Sequence, residues 1–392
     1  MNGEVLTQRR QSAEIGVVTQ ARLGDVCELN MGQSPESASY NTVTEGLPFY
    51  QGNADFGPIY PTPRVWCNSP VKIAEAGDLL VSVRAPIGAL NFANERCCIG
   101  RGLAALRVKP DSDSKFIYYA LKSNVTELNA RGTGSTFKAI SKKALSSLLF
   151  PLPPLADQRR IATKLDRLCD VVAKRKQQLA QLDQLVKSRF VEMFGDEKRF
   201  PAVTVGDVFT VKGPKRIHKE EWTSEGVPFY RVSNLSDLLE ERETTSDNFI
   251  SRSRFEELKA DEQVPKAGDV LVTARGTLGR CYVVKPDDEF YFQDGMITWL
   301  ADRNERITLP YFLQAVQSQT FKRQYEGKSS GTTVAYMTIG QLAKYRLPLP
   351  PIVLQREFAA FVEKVDKLAF AARRRRDVAK QLYRAKIQEF FG

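Results

Sequence analysis

The segment Pro151–Gly195 occurs twice in this chain. It opens Pro151-Leu152-Pro153-Pro154-Leu155 and closes Met193-Phe194-Gly195; the second copy opens Pro348-Leu349-Pro350-Pro351-Ile352 and ends Phe390-Phe391-Gly392. Matched positions stand 197 apart without a gap: Gln158 with Gln355, Arg159 with Arg356, Leu185 with Leu382, Gly195 with Gly392. An ungapped repeat of this length constrains the architecture before any composition does, because whatever one copy folds into the other must fold into too.

Each copy predicts one long helix. Neither Pro nor Gly interrupts 155–194 or 352–391, and each run has prolines before it and a glycine after it, the asymmetry that helix ends prefer. The apolar positions Ile161, Leu165, Leu168, Val172, Leu179, Leu182, Val186, Phe190 and Met193 alternate near four and three, as in a coiled-coil seam. In the second copy the seam runs Phe358, Val362, Val365, Ala369, Ala379, Tyr383, Ile387 and Phe390. Arg175 and Arg376 also fall on it and are expected to lie along the seam with their charge in water. Two separate amphipathic helices, each on its own domain, are the alternative. A forty-residue helix, about 60 Å at 1.5 Å per residue, outreaches an ordinary domain, so pairing is preferred.

The rest of the chain repeats with gaps. Leu23-Gly24-Asp25-Val26 answers Val205-Gly206-Asp207-Val208, offset 182; Gly46-Leu47-Pro48-Phe49-Tyr50 answers Gly226-Val227-Pro228-Phe229-Tyr230, offset 180. Ala76-Gly77-Asp78-Leu79-Leu80-Val81 answers Ala267-Gly268-Asp269-Val270-Leu271-Val272, offset 191, and helical segments 116–123 and 311–318 match at 195. Strands are predicted at 79–83, 103–108, 270–274 and 296–300. Each repeat therefore predicts an α/β (α+β) domain with a twisted, partly rolled sheet.

Two non-identical domains, each followed by a Pro-Leu-Pro-Pro turn, a Gln-Arg pair and a long helix, resemble the DNA specificity subunit of type I restriction–modification enzymes, over residues 23–392. The resemblance implies two target recognition domains whose helices pair antiparallel as a spacer, each domain reading half of a split site on double-stranded DNA. The expected division is an N-terminal arm (1–20), a first recognition domain (21–155), a central helix (156–197), a second recognition domain (198–352) and a C-terminal helix (353–392). It further implies two methyltransferase subunits and restriction (translocase) subunits as partners. S-adenosylmethionine, ATP and magnesium would belong to those partners, with no cofactor in this chain.

Charge and missing motifs agree with a non-catalytic, DNA-binding role. The 392 residues carry a net charge of +11, which favours an acidic partner. Residues 156–195 hold nine Lys/Arg against five Asp/Glu and residues 353–392 ten against five, so nine of the eleven surplus charges sit on the helices. The lone histidine, His218, lies among Lys215, Arg216 and Lys219 and reads as an exposed basic-loop residue rather than a catalyst. Gly327-Lys328-Ser329 ends like a phosphate-binding loop, but Lys322 stands where its first glycine belongs. No dinucleotide-binding glycine motif follows a strand, and no Asn/Asp-Pro-Pro-Tyr/Phe occurs. Cys27, Cys67, Cys97, Cys98, Cys169 and Cys281 lack metal-site spacing and read as small apolar residues in a reducing cytoplasm. The first twenty residues have no apolar signal core, and no run of about 18 apolar residues spans a membrane.

Recognition surfaces remain. Ser82-Val83-Arg84-Ala85-Pro86-Ile87-Gly88 recurs as Thr273-Ala274-Arg275-Gly276-Thr277-Leu278-Gly279: a strand delivers Arg84 or Arg275 to a tight turn. Such an arginine suits a phosphate or a guanine, or is pinned by Asp78 or Asp269; its recurrence in two domains meant for different bases assigns it to the fold or to backbone positioning. Loops 131–138 and 328–333, with Lys138, Lys328 and Thr332, offer amides, hydroxyls and charge to phosphates, or are simple turns before Ser141 and Thr338. Base contacts are expected where the copies differ: Gln33, Ser34, Gln51 and Asn53 in the first domain, Lys215, Arg216, Arg231, Ser233 and Asn234 in the second. The rival class is an interaction scaffold whose domains bind proteins; salt-dependent, sequence-selective DNA binding separates the two.

Overall fold

The computed structural model describes residues 18–134, 138–240, 242–293, 295–326 and 336–392. The chain divides into two units, one running to Gln177 and taking in Arg373–Gly392, the other Gln178–Ala372. Each unit therefore owns about half of each long helix.

In the first unit the principal strands are β1 (Thr19–Arg22), β2 (Cys27–Met31), β3 (Leu47–Tyr50), β4 (Leu79–Ser82), β5 (Leu90–Phe92), β6 (Cys97–Ile99), β7 (Leu103–Val108) and β8 (Leu149–Leu152), and its helices include α1 (Ser114–Ser123) and α2 (Leu155–Phe194). The main sheet is antiparallel in the order β2-β7-β4-β5, with Ala105 opposite Leu80 and Leu79 opposite Phe92. Its central strands are apolar on both faces because both faces are covered. Leu79, Val81, Ala104 and Leu106 point into a core with Phe116, Ile117, Phe150, Ile161 and Leu165. Leu80, Leu103 and Ala105 point the other way, onto Tyr50 and Ile99. Those two come from β3 and β6, which pair in parallel with Phe49 opposite Cys98. β1 pairs with β8, Thr19 opposite Leu152, so the strand pair begins just inside the segment expected to be a loose arm.

The second unit repeats this frame. Its principal strands are β9 (Ala202–Thr204), β10 (Thr210–Lys212), β11 (Val227–Tyr230), β12 (Val270–Thr273), β13 (Cys281–Val283), β14 (Tyr291–Phe292), β15 (Ile297–Ala301) and β16 (Arg346–Pro348); its helices include α3 (Val232–Leu239), α4 (Leu309–Ala315) and α5 (Ile352–Phe391). The sheet order β10-β15-β12-β13 matches the first unit strand for strand, and β11 pairs with β14 in parallel, Phe229 opposite Tyr291. α4 stops at Ala315 rather than continuing to Ser318, and a second short helix, Gln319–Lys322, follows with Ser318 as its N-cap.

Within each unit the front of one long helix meets the back of the other. In the first, Ile161 and Leu165 of α2 share a core with Phe390 of α5, and Phe391 packs 5.1 Å from Phe116. In the second, Phe190 and Phe194 of α2 lie 5.7 and 5.6 Å from Phe358 of α5, and Arg189 bonds Glu357 at 2.9 Å. Front against back in both units is antiparallel pairing, and the seam residues Leu182, Val186, Val365 and Ala369 are buried as the spacing predicts. Of the two seam arginines, Arg376 holds the partly exposed carboxylate of Asp377 at 2.9 Å.

Cys27, Cys67, Cys97 and Cys98 are buried. Burial pushes the thiols of Cys27 and Cys97 up to about 12 and that of Cys98 to about 11. In the unfolded chain such thiols ionise near 8.5 or 9. The unfolded state therefore binds fewer protons above that pH, and stability is lost as pH rises from about 9 towards the raised values, about 11 for Cys98 and about 12 for Cys27 and Cys97. Cys27, Cys97 and Cys98 are expected to resist a maleimide at pH 8 until the chain is unfolded. Rapid labelling of the native chain at these positions, mapped by mass spectrometry, would contradict their burial.

Candidate nucleic-acid interface

The candidate site of the first unit forms where β4 runs out. The Ser82 hydroxyl shares its one proton between the carbonyls of Arg84 (2.8 Å) and Pro86 (2.9 Å), and the Gly88 amide donates to Ser82 O. This curls the chain and leaves Arg84 exposed at its tip. Three other segments are tied to the curl by backbone bonds. Val83 N donates to Gly102 O, Ala85 N to Lys138 O, and Gly102 N to Gln51 O, at 2.9–3.1 Å. Gly102 is needed there: a Cβ would fall 2.3 Å from Gln51 O. The result is an open notch of about 190 Å³ lined by the polar side chains of Gln51, Asn53, Arg84 and Arg101. Ser34 abuts it, its hydroxyl accepting from Arg101 N at 3.3 Å, and the neighbouring Gln33 is exposed.

Neither Arg84 nor Arg275 is pinned by the aspartate considered for it. Asp78 is buried and bidentate with Arg107, at 3.0 and 3.1 Å. Asp269 accepts from Trp299 Nε1 (2.9 Å) and Lys266 N (2.8 Å). Arg64, Arg96, Arg107 and Arg131 of the same unit each hold a carboxylate. Among the described residues Arg84 and Arg101 form no ion pair. Two uncommitted guanidiniums with two amides can donate to a phosphate or to base edges.

The second unit keeps the frame and changes the residues. Thr273 Oγ1 donates to Thr277 O (2.5 Å), Gly279 N returns to Thr273 O, and Ala274 N donates to Met296 O, so exposed Arg275 stands where Arg84 does. The same unit holds a cavity of about 290 Å³ lined by Arg216, His218, Lys219, Trp222 and Gln293 among others. The Arg231 guanidinium lies 5.5 Å from the centre of the Trp222 ring, a cation–π distance. Glu221 next to this cavity is held below the usual carboxylate range, first by the His218 amide that donates to it and then by Arg254. Lys215 is exposed, with Asp261 at 3.7 Å, and its carbonyl accepts from Tyr291. The Asn234 amide is used internally: its oxygen accepts from Arg231 N and its nitrogen donates to Thr244 and Thr245, which fixes the start of α3. Ser233 is exposed on the same helix start. Lys328 and Thr332 lie outside the described residues.

Gln51, Asn53 and Arg84 thus line one notch, with Ser34 and Lys138 adjoining; the second set converges less tightly. Arg101 lines the notch as well, although no motif singles it out. Its signal was available, because Gly100-Arg101-Gly102 answers Gln293-Asp294-Gly295 at offset 193. Among the described residues no group of three His, Cys, Asp or Glu side chains could hold a metal ion, and no helix is long and apolar enough to cross a membrane.

Residues 18–184 and 197–379 match the type I restriction modification DNA specificity domain. A Methanocaldococcus jannaschii protein named as a type I restriction enzyme MjaX specificity subunit is 43% identical over 158 residues, 40% of this chain and 37% of its own length. The Escherichia coli EcoBI specificity subunit is 25% identical over 326 residues, 74% of this chain and 66% of its own. The S subunit of a type I restriction–modification system from M. genitalium shares the fold, with a TM-score of 0.58 over 97% of both chains at 17% identity.

Proposed function

Since this chain belongs to the type I restriction–modification DNA specificity family, we propose that it recognises a bipartite, asymmetric DNA site for a methyltransferase and restriction complex. One observation carries the reading: two units with the same strand order present the same exposed arginine, Arg84 or Arg275, beside side chains that differ. A common frame with different contact residues suits two readers of two different half-sites. In this reading Arg84 and Arg275 position the phosphate backbone, and Gln51, Asn53 and Arg231 belong to the base-reading sets.

The chain itself performs no transfer or cleavage. Two methyltransferase subunits and the restriction subunits, working in the cytoplasm, would bring S-adenosylmethionine, ATP and magnesium. Apolar side chains left open on the long helices, Val353, Leu368 and Phe370 in the second unit and Val378 and Leu382 in the first, offer them purchase. Purified alone with labelled S-adenosylmethionine, or with ATP and magnesium, the chain is expected to leave DNA unmodified and uncut. Turnover that follows this chain through purification would reject a non-catalytic role. With its partners it is expected to bind DNA selectively, with affinity falling steeply as salt rises; salt-insensitive or unselective binding would favour the scaffold.

A further inference from the structure

We propose that Arg101 is a specificity-determining residue of the first unit and reads the guanine of a G·C pair. The proposal rests on the DNA-reading function above and says which side chain, and which base, one half-site depends on.

The two units can be aligned here by hydrogen bonds rather than by sequence. Gly100 N donates to Tyr50 O, and Gln293 N donates to Tyr230 O, both at 2.9 Å. The parallel pairs β3–β6 and β11–β14 have the same register, Tyr50 opposite Ile99 and Tyr230 opposite Phe292. Gln51 and Arg231, which follow the two tyrosines, are therefore equivalent. By the same count Arg101 and Asp294 occupy one step of the sequence frame, Asp294 lying outside the described residues. Arginine is kept at the 84/275 position and replaced by an acid at the 101/294 position. DNA has the same phosphates under both readers and different bases, so the kept arginine fits the backbone and the exchanged one fits a base.

Geometry supports a base contact. Arg101 is exposed, lines the notch with Gln51 and Arg84, and has no carboxylate partner among the described residues. Its backbone is held on both sides, by Ser34 Oγ and by the tie of Gly102 to Gln51 O, so the guanidinium projects from a fixed base. A planar fork with paired donors matches O6 and N7 of guanine, the commonest specific arginine contact.

The test uses the full chain purified with its methyltransferase subunits and selection from a randomised duplex. Wild type is expected to enrich a G at a fixed place in one half-site. Arg101→Lys keeps the charge and loses the fork. It should reduce that preference by on the order of tenfold while leaving the other half-site and the salt slope unchanged. Arg84→Ala should lower affinity for every sequence and reduce the salt slope by about one. An intact G preference in Arg101→Lys, in a variant whose melting temperature equals that of wild type, overturns the assignment alone. So does Arg101→Ala lowering affinity uniformly with a shallower salt slope, which marks a phosphate contact. No sequence selection by wild type overturns the DNA-reading function itself.

Discussion

Gln355→Glu should destabilise the second unit by several kcal/mol, more than any conservative change on the exposed face of the same helix. Gln355 is fully buried at the start of α5. Its Nε2 donates to Pro350 O at 2.8 Å and to Arg306 O at 3.0 Å, and its Oε1 accepts from Thr308 N at 2.9 Å. One amide thus joins the Pro-Leu-Pro-Pro turn, the loop before α4 and the long helix. Glutamate would aim oxygen at two carbonyls and bury a charge. A protonated acid could donate to one of them at most. Each stranded buried group costs about 1–3 kcal/mol, so Gln355→Leu should also lose about 3 kcal/mol or more. Gln158 makes the same tie in the first unit with one fewer bond, to Pro153 O and from Asp113 N, both 2.9 Å. Gln158→Glu should therefore cost somewhat less. Urea unfolding of the full chain measures both; a change within about 0.5 kcal/mol, the range of neutral surface substitutions, would refute the tie.

That glutamine marks the limit of what the sequence carries. The doubled Gln158/Gln355 was visible as a repeat, and so were the helices, because a seam from Ile161 to Met193 with no proline or glycine leaves little else to form. The reason for the glutamine was not visible, since its partners Arg306 and Thr308 lie about fifty positions upstream. Strand positions were legible from apolar runs such as Leu79-Leu80-Val81. The order β2-β7-β4-β5 was not, because it depends on pairings between strands tens of residues apart. Most residues of the first candidate site were legible as well: Gln51 and Asn53 stand after Pro-Phe-Tyr, where the copies diverge, and Arg84 ends a strand that recurs before Arg275. Arg101 was missed because the offset between copies shifts to 193 there, and because only folding brings β6 alongside β3.

Lengthening both long helices should move the two half-sites apart without changing either. The chain passes from one unit to the other at 177/178 and at 372/373, and both crossings lie inside the forty-residue helices α2 and α5. If the proposed function holds, two helices of equal length, matched at a constant 197 positions, would act as a ruler whose graduation is the helical rise. A heptad added to each at the crossings keeps the antiparallel seam in phase. It adds about 10 Å at 1.5 Å per residue, which is about three base pairs of 3.4 Å. Wild type, with helices about 60 Å long, cannot span more than about 17 or 18 base pairs. Half-site centres about one turn, or 10 base pairs, apart would let both units meet one face of the duplex. The lengthened protein should select the same two half-sites with the spacer grown by about three base pairs. It should also lose affinity for the wild-type site, because three base pairs turn the duplex through more than a quarter of a helical repeat. Mapping methylated bases in cells carrying each version reads the spacer directly. An unchanged spacer would mean that the helices do not set the distance, and a continuous site, or one identical on both strands, would mean that the two units do not read separately.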